Sequence, residues 1–203
     1  MAVFSRCDKN YMSSEPVVPP TGQFSFPSNS SQTLLALRCS PALKPYLASD
    51  ASTPAAFLID TPVTYTQIAN ASPIDTSTTA NLSVTISLGS TTLAQGSVPL
   101  NASKIPLSFS LAQLTPTMNP YNITCSATYS GGQTFNATTM LSFLPDPTTG
   151  SATKMDLRTG ALLARPANGS GEYSPVFPIG FYTAFDGYIA SNLSILNELA
   201  EQG

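Results

Sequence analysis

The sequence predicts a mainly β protein: a β-sandwich over residues 1–145, a linker at 146–154, and a hairpin followed by a single strand–helix unit over 155–203. Three observations carry this expectation. Apolar residues alternate with Ser, Thr and Asn at a period of two in several short stretches, which is the pattern of a strand with one dry face. Turn signals rich in Gly separate those stretches at regular spacing. Close to Gly203 the period changes to that of a helix.

Composition sets the class. Hydrophobic residues make up 42% of the 203 residues and charged residues only 9%, against roughly a quarter in an ordinary globular domain. With 18 Pro and ample Val, Ile, Leu and Phe, the chain has enough to bury and is expected to fold rather than stay disordered. The net charge is -3 and no basic residues cluster, so neither nucleic acid nor an anionic membrane is expected as a partner. No apolar run is long enough to span a bilayer.

Residues 1–31 carry Pro16, Pro19 and Pro20 and read as extended and irregular, with a brief alternation at Gln23–Phe26. Thr33–Cys39 (TLLALRC) reads as a buried strand, and 40–56 as a loop with a short helix. Phe57–Ile68 holds one or two strands broken at Pro62. From residue 81 the sequons act as a ruler, because a glycan must face solvent. If Asn81 points out, Leu82, Val84, Ile86 and Leu88 point in; if Asn122 points out, Ile123, Cys125, Ala127 and Tyr129 point in; if Asn136 points out, Phe135, Ala137, Leu141 and Phe143 point in. Leu88-Gly-Ser-Thr joins strand 82–88 to strand 92–100, and Ser130-Gly-Gly-Gln makes a hairpin of 121–130 and 134–144. Residues 146–154, with three Thr, Pro147, Gly150 and Ser151, form the linker. A small hairpin then turns at Arg158-Thr-Gly160, an apolar strand runs over 176–182, Thr183–Gly187 is a loop, and a helix from about Tyr188 or Ser191 to Gln202 places Ile189, Leu193, Leu196 and Ala200 on one stripe.

Eight sequons, at Asn29, Asn70, Asn81, Asn101, Asn122, Asn136, Asn168 and Asn192, leave only Asn10, Asn119 and Asn197 outside the pattern. They point to a secreted glycoprotein. MAVFSRCDKN lacks the apolar core of a signal peptide, so the expectation is that Met1 is not the native secretory start. In an oxidising compartment Cys7, Cys39 and Cys125 allow one disulfide and one leftover thiol. Cys39–Cys125, Cys7–Cys39 and no bridge all remain open. The absence of histidine removes Ser-His-Asp and Cys-His nucleophile systems and any histidine acid or base. No cysteine spacing matches a metal site, and no cofactor motif is present.

Two resemblances add to this reading. The placement of Cys39 and Cys125 on inward faces of an early and a late strand resembles the immunoglobulin-like sandwich, with departures: there is no Trp, and Tyr121 stands four residues before Cys125 instead of two. The order of hairpin, Pro-Val-Phe-Pro-Ile-Gly-Phe-Tyr, loop and helix ending Glu-Leu-Ala-Glu-Gln-Gly, over about residues 155–203, resembles the entry into the (β/α)8 barrel of family 2-type glycoside hydrolases, and is similar to secreted fungal glycoside-hydrolase-like proteins. That resemblance implies a truncated barrel. Its acid/base and nucleophile are two carboxylates on later barrel strands, so no catalytic residue carries over to this chain.

Among the carboxylates, Asp186 follows the first expected barrel strand, on the side where barrel active sites form. Tyr182, Phe185 and Tyr188 stand around it in sequence. Rings beside a carboxylate suit a sugar, which stacks its C–H face and hydrogen-bonds its hydroxyls. The plainer alternative is a turn at Asp186-Gly187 with the rings in the core. The functional expectation is the accessory region and barrel entry of a secreted glycoside hydrolase, inactive by itself, with an oligo- or polysaccharide as the partner. The alternative is a non-catalytic carbohydrate-binding or cell-wall interaction sandwich; a complete enzyme of another class has no motif to support it.

Overall fold

The computed structural model describes residues 27–77, 80–166, 168–178 and 189–202. The expected alternation at Gln23–Phe26 lies outside these. The strands in chain order are β1 (Asn29–Ala36), β2 (Arg38–Pro41), β3 (Leu43–Lys44), β4 (Tyr46–Leu47), β5 (Ala55–Asp60), β6 (Val63–Thr66), β7 (Ala71–Pro73), β8 (Leu82–Leu88), β9 (Thr91–Val98), β10 (Ile105–Phe109), β11 (Tyr121–Thr128), β12 (Thr134–Leu141), β13 (Phe143–Leu144), β14 (Lys154–Asp156), β15 (Ala161–Ala164) and β16 (Ser174–Val176). Among the described residues one α-helix, α1, spans Ile195–Gln202.

A four-stranded antiparallel sheet runs β12-β11-β8-β9 and a three-stranded one β10-β5-β2. Their inner faces meet in one core, with Phe57 and Ile59 from β5, Val84 and Ile86 from β8 and Ile123 from β11. This is the arrangement of a β-sandwich. Phe57 and Phe109 stack with ring centroids 4.7 Å apart, and Tyr46 meets Phe109 edge-on at 6.4 Å. In β8, β11 and β12 the alternation follows the sequence: Leu82, Val84, Ile86, Ile123, Cys125, Ala127, Phe135, Ala137 and Leu141 are buried while Asn81, Asn122 and Asn136 are exposed.

Leu34–Leu37 and Cys39 of the TLLALRC run are buried as expected, with Arg38 exposed, but the run serves two sheets. β1 pairs with β6 and β7, and after Leu37 the chain continues as β2 against β5. Both halves need the same apolar residues, so the sequence reads as one strand. Strand β9 carries a bulge between Ile86 and Ser87 of its partner, and Leu93 and Ala94 are therefore consecutive yet both buried. At Gly96 the next strand comes close: a Cβ there would lie 2.5 Å from Leu107 Cδ2.

Several expectations change. Residues 40–56 are not simply a loop with a helix; β3, β4 and a 3-10 turn at Ala48–Ser52 lie there, and β4 pairs in parallel with β13. The apolar strand expected over 176–182 is instead Ser174–Val176, which pairs antiparallel with β15. Phe177 and Pro178 lie beyond it and are exposed; Pro178 has no N–H to extend the ladder, and 179–182 lie outside the described residues. The helix starts at Ile195, later than its apolar period implied. The Asn192 side-chain oxygen accepts from both the N–H and the hydroxyl of Ser194, a local turn that competes with helical bonding just before it. Leu193 thus stands ahead of the helix, and with Leu196 and Ala200 it faces solvent, while Ile195 and Leu199 are half-covered.

Candidate functional site

The expected sugar-contacting residues Tyr182, Phe185, Asp186 and Tyr188 lie outside the described residues. What the structure does define is the place where the hairpin β14–β15 meets the sandwich. Met155 and Asp156 of β14 pair with Lys44 and Leu43 of β3, and the Leu157 N–H donates to the Ala42 carbonyl at 2.9 Å. The 146–154 stretch, free of strand as far as Thr153, therefore leads into a hairpin hydrogen-bonded to the sandwich's own chain.

Lys154 is the centre of this junction. Its side chain is 3% exposed, and its Nζ donates to Asp50 Oδ1 at 2.8 Å and Oδ2 at 2.7 Å. Asp50 is placed by the 3-10 turn, where its Oδ2 also accepts the Leu47 N–H at 2.7 Å. The ammonium sits 4.1 Å from the centre of the Tyr173 ring, and the Arg165 guanidinium lies 5.0 Å from the same centre. A buried ammonium needs such partners, because removing it from water without them is costly. Sequence reasoning passed over this site: Asp50 and Lys154 are 104 positions apart, and only Lys154's place on an inward-facing strand position could have marked it.

Beside it, Asp156 takes the Arg158 N–H and Nε on Oδ1 at 2.9 and 2.8 Å, and Nη2 on Oδ2 at 3.1 Å. Burial pushes the Asp156 carboxyl up, but the Arg158 hydrogen bonds together outweigh it and hold the group below the usual carboxylate range. The same bonds raise Arg158. Burial raises the Tyr46 phenol, whose hydroxyl donates to the Ala56 carbonyl at 3.2 Å and accepts its N–H at 3.1 Å. These bonds hold segments together. Each carboxylate here is engaged by a cation or backbone N–H groups, and among the described residues no three of His, Cys, Asp and Glu converge.

A disulfide joins Cys39 on β2 to Cys125 on β11, across the two sheets, with Cα atoms 6.4 Å apart. Tyr121, at the start of β11, donates its hydroxyl to the Thr115 carbonyl at 2.6 Å and accepts the Thr115 N–H at 3.2 Å. All eight sequon asparagines are exposed. An apolar depression of about 490 Å³ opens beside β15 and β16, lined by Ala161, Leu162, Val176 and Phe177 among others; Phe177 is 88% exposed. No family model, curated protein or solved structure matches this chain.

Proposed function

We propose that this chain is the N-terminal accessory region and barrel entry of a secreted glycoside hydrolase, a supporting module that carries no catalytic carboxylates of its own. The observation that carries this reading is the contrast across the hairpin. One side is clamped to the sandwich through β3 and the Lys154–Asp50 pair. The other side presents β16, which among the described residues is the edge of its sheet, with Val176 and Phe177 bare beside it. Leu193 and Leu196 are exposed as well. Apolar surface of this kind calls for a cover, and a barrel continuing from this strand and helix supplies one.

Strand order supports an immunoglobulin-like sandwich. Counting β2, β5, β8, β9, β10, β11 and β12 as seven strands, the first, second and fifth form one sheet, and the seventh, sixth, third and fourth the other. An immunoglobulin constant domain differs in keeping its fourth strand with the first sheet. The disulfide also crosses between the sheets, though from the first to the sixth of these strands where an immunoglobulin domain joins the second to the sixth, and the hydroxyl of Tyr121 reaches back to the backbone upstream as in a tyrosine corner displaced by one strand period. The buried inter-sheet disulfide and the exposed sequons support secretion. The alternative, a free-standing carbohydrate-binding sandwich, has weaker support: among the described residues the strongly exposed rings, Tyr65 on β6 and Phe177 after β16, share no strand or sheet.

The intact mass of the native protein after enzymatic removal of N-glycans tests the proposal. A mass several-fold above 21.2 kDa with hydrolytic activity on a polysaccharide supports it. A deglycosylated mass close to that of the chain sinks the barrel reading, and retention on cell-wall polysaccharide would then favour the binding module.

A further inference from the structure

We propose that the first sugar of an N-glycan on Asn122 packs on the side chain of Met140, so that the outer face of the four-stranded sheet is a glycan-covered surface. The inference rests on the secretion reading above. Asn122 of β11 stands directly opposite Met140 of β12 in the antiparallel ladder, and both side chains are exposed. Residues opposite one another on the same face have Cβ atoms about 5 Å apart, within reach of a sugar ring carried on the Asn side chain.

The face itself explains why a sugar belongs there. In Asn122-Ile123-Thr124 the Asn and Thr point outward together because positions i and i+2 share a face, while Ile123 is fully buried. The hydroxyl that the modifying enzyme needs is therefore presented beside the acceptor. Around them the outward positions of β8, β11 and β12 carry Ser, Thr and Asn and no charge. Met140, 55% exposed, is the one large apolar side chain on that face among the described residues. A thioether is polarizable and adaptable, and the C–H face of an N-acetylglucosamine is its natural complement. β12 is also an edge strand of its sheet. Its own sequon, at Asn136, is oriented by the Ser126 hydroxyl, which donates to the Asn136 side-chain oxygen at 2.7 Å. Bulk on these positions would also block pairing of that edge with another chain.

The test is oxidation of the secreted glycoprotein by dilute hydrogen peroxide, read by peptide mapping, because methionine sulfoxide formation tracks access to sulfur. Met118, 75% exposed, is the internal reference. The expected result is that Met140 oxidises several-fold more slowly than Met118, and that Asn122→Gln and Thr124→Ala each raise the Met140 rate without changing that of Met118. An occupied Asn122 with a Met140 rate indifferent to both substitutions overturns the packing and leaves secretion standing. An unoccupied Asn122 in a protein glycosylated elsewhere overturns the proposal at this site. Absence of glycan from every sequon overturns it together with the secretion reading.

Discussion

Replacing Asp50 by Ala should cost more than replacing its partner Lys154 by Met, although each change breaks the same ion pair. The difference follows from burial: the Lys154 side chain is 3% exposed and that of Asp50 20%. Removing Asp50 strands an ammonium where water hardly reaches. Loss of one member of a buried pair costs about 3–5 kcal/mol, and the partial exposure of Asp50 argues for the lower figure, about 3 kcal/mol. The Leu47 N–H loses its acceptor as well. Removing the ammonium leaves Asp50 with that N–H and with water, while Met fills most of the space the Lys154 side chain occupied. The cost is then about 2 kcal/mol for the lost charge-assisted hydrogen bonds and ring contact. The gap of about 1 kcal/mol corresponds to roughly a fivefold difference in the opening equilibrium. Amide hydrogen exchange over 154–164, read beside the exchange of β11, measures it, because local release of the hairpin raises the first without the second. Equal loss of protection in the two variants, or a greater loss in Lys154→Met, would refute the argument that the buried ammonium governs this junction.

Three further outcomes are expected. Replacing Cys39 and Cys125 by Ala removes a cross-link between positions 86 apart; the loop-closure relation gives about 4.6 kcal/mol, and a urea midpoint within error of the parent protein would contradict it. Gly96→Val should destabilise by about 1–3 kcal/mol through overpacking against Leu107, visible as a lower Tm, whereas Gly96→Ala should cost less because a leucine side-chain end can turn aside. Because the folded Asp156 carboxyl is held below its unfolded value, its contribution to stability is present above the ordinary carboxylate pKa and is lost as pH falls through the folded one. Unfolding free energy followed below about pH 4 should therefore fall more steeply in the parent protein than in Asp156→Asn.

Much of this fold was legible in the sequence because strands with one dry face announce themselves. The faces of β8, β11 and β12, the break at Pro62 and the hairpin turning at Gly160 all follow from local alternation and turn chemistry. The sequons, which must face solvent, mark the outward positions of these strands. What the sequence could not determine is where segments meet. Whether TLLALRC serves one sheet or two depends on partners far along the chain, since β1 and β2 need the same burial. Pairing of β3 with β14, and the bond of Asp50 to Lys154 across 104 positions, arise only once the core has brought those loops together. The late start of α1 has a local cause, but an Asx turn and a helical turn compete too closely for apolar periodicity to separate them. By itself, the sequence determined the β class, the inward faces and the accessible sequons, because each depends on a residue and its near neighbours. Tertiary structure alone decided the sheet partners, the pairing of Cys39 with Cys125 and the clamp on the hairpin, because each is a contact between segments whose separation along the chain leaves no trace in local pattern.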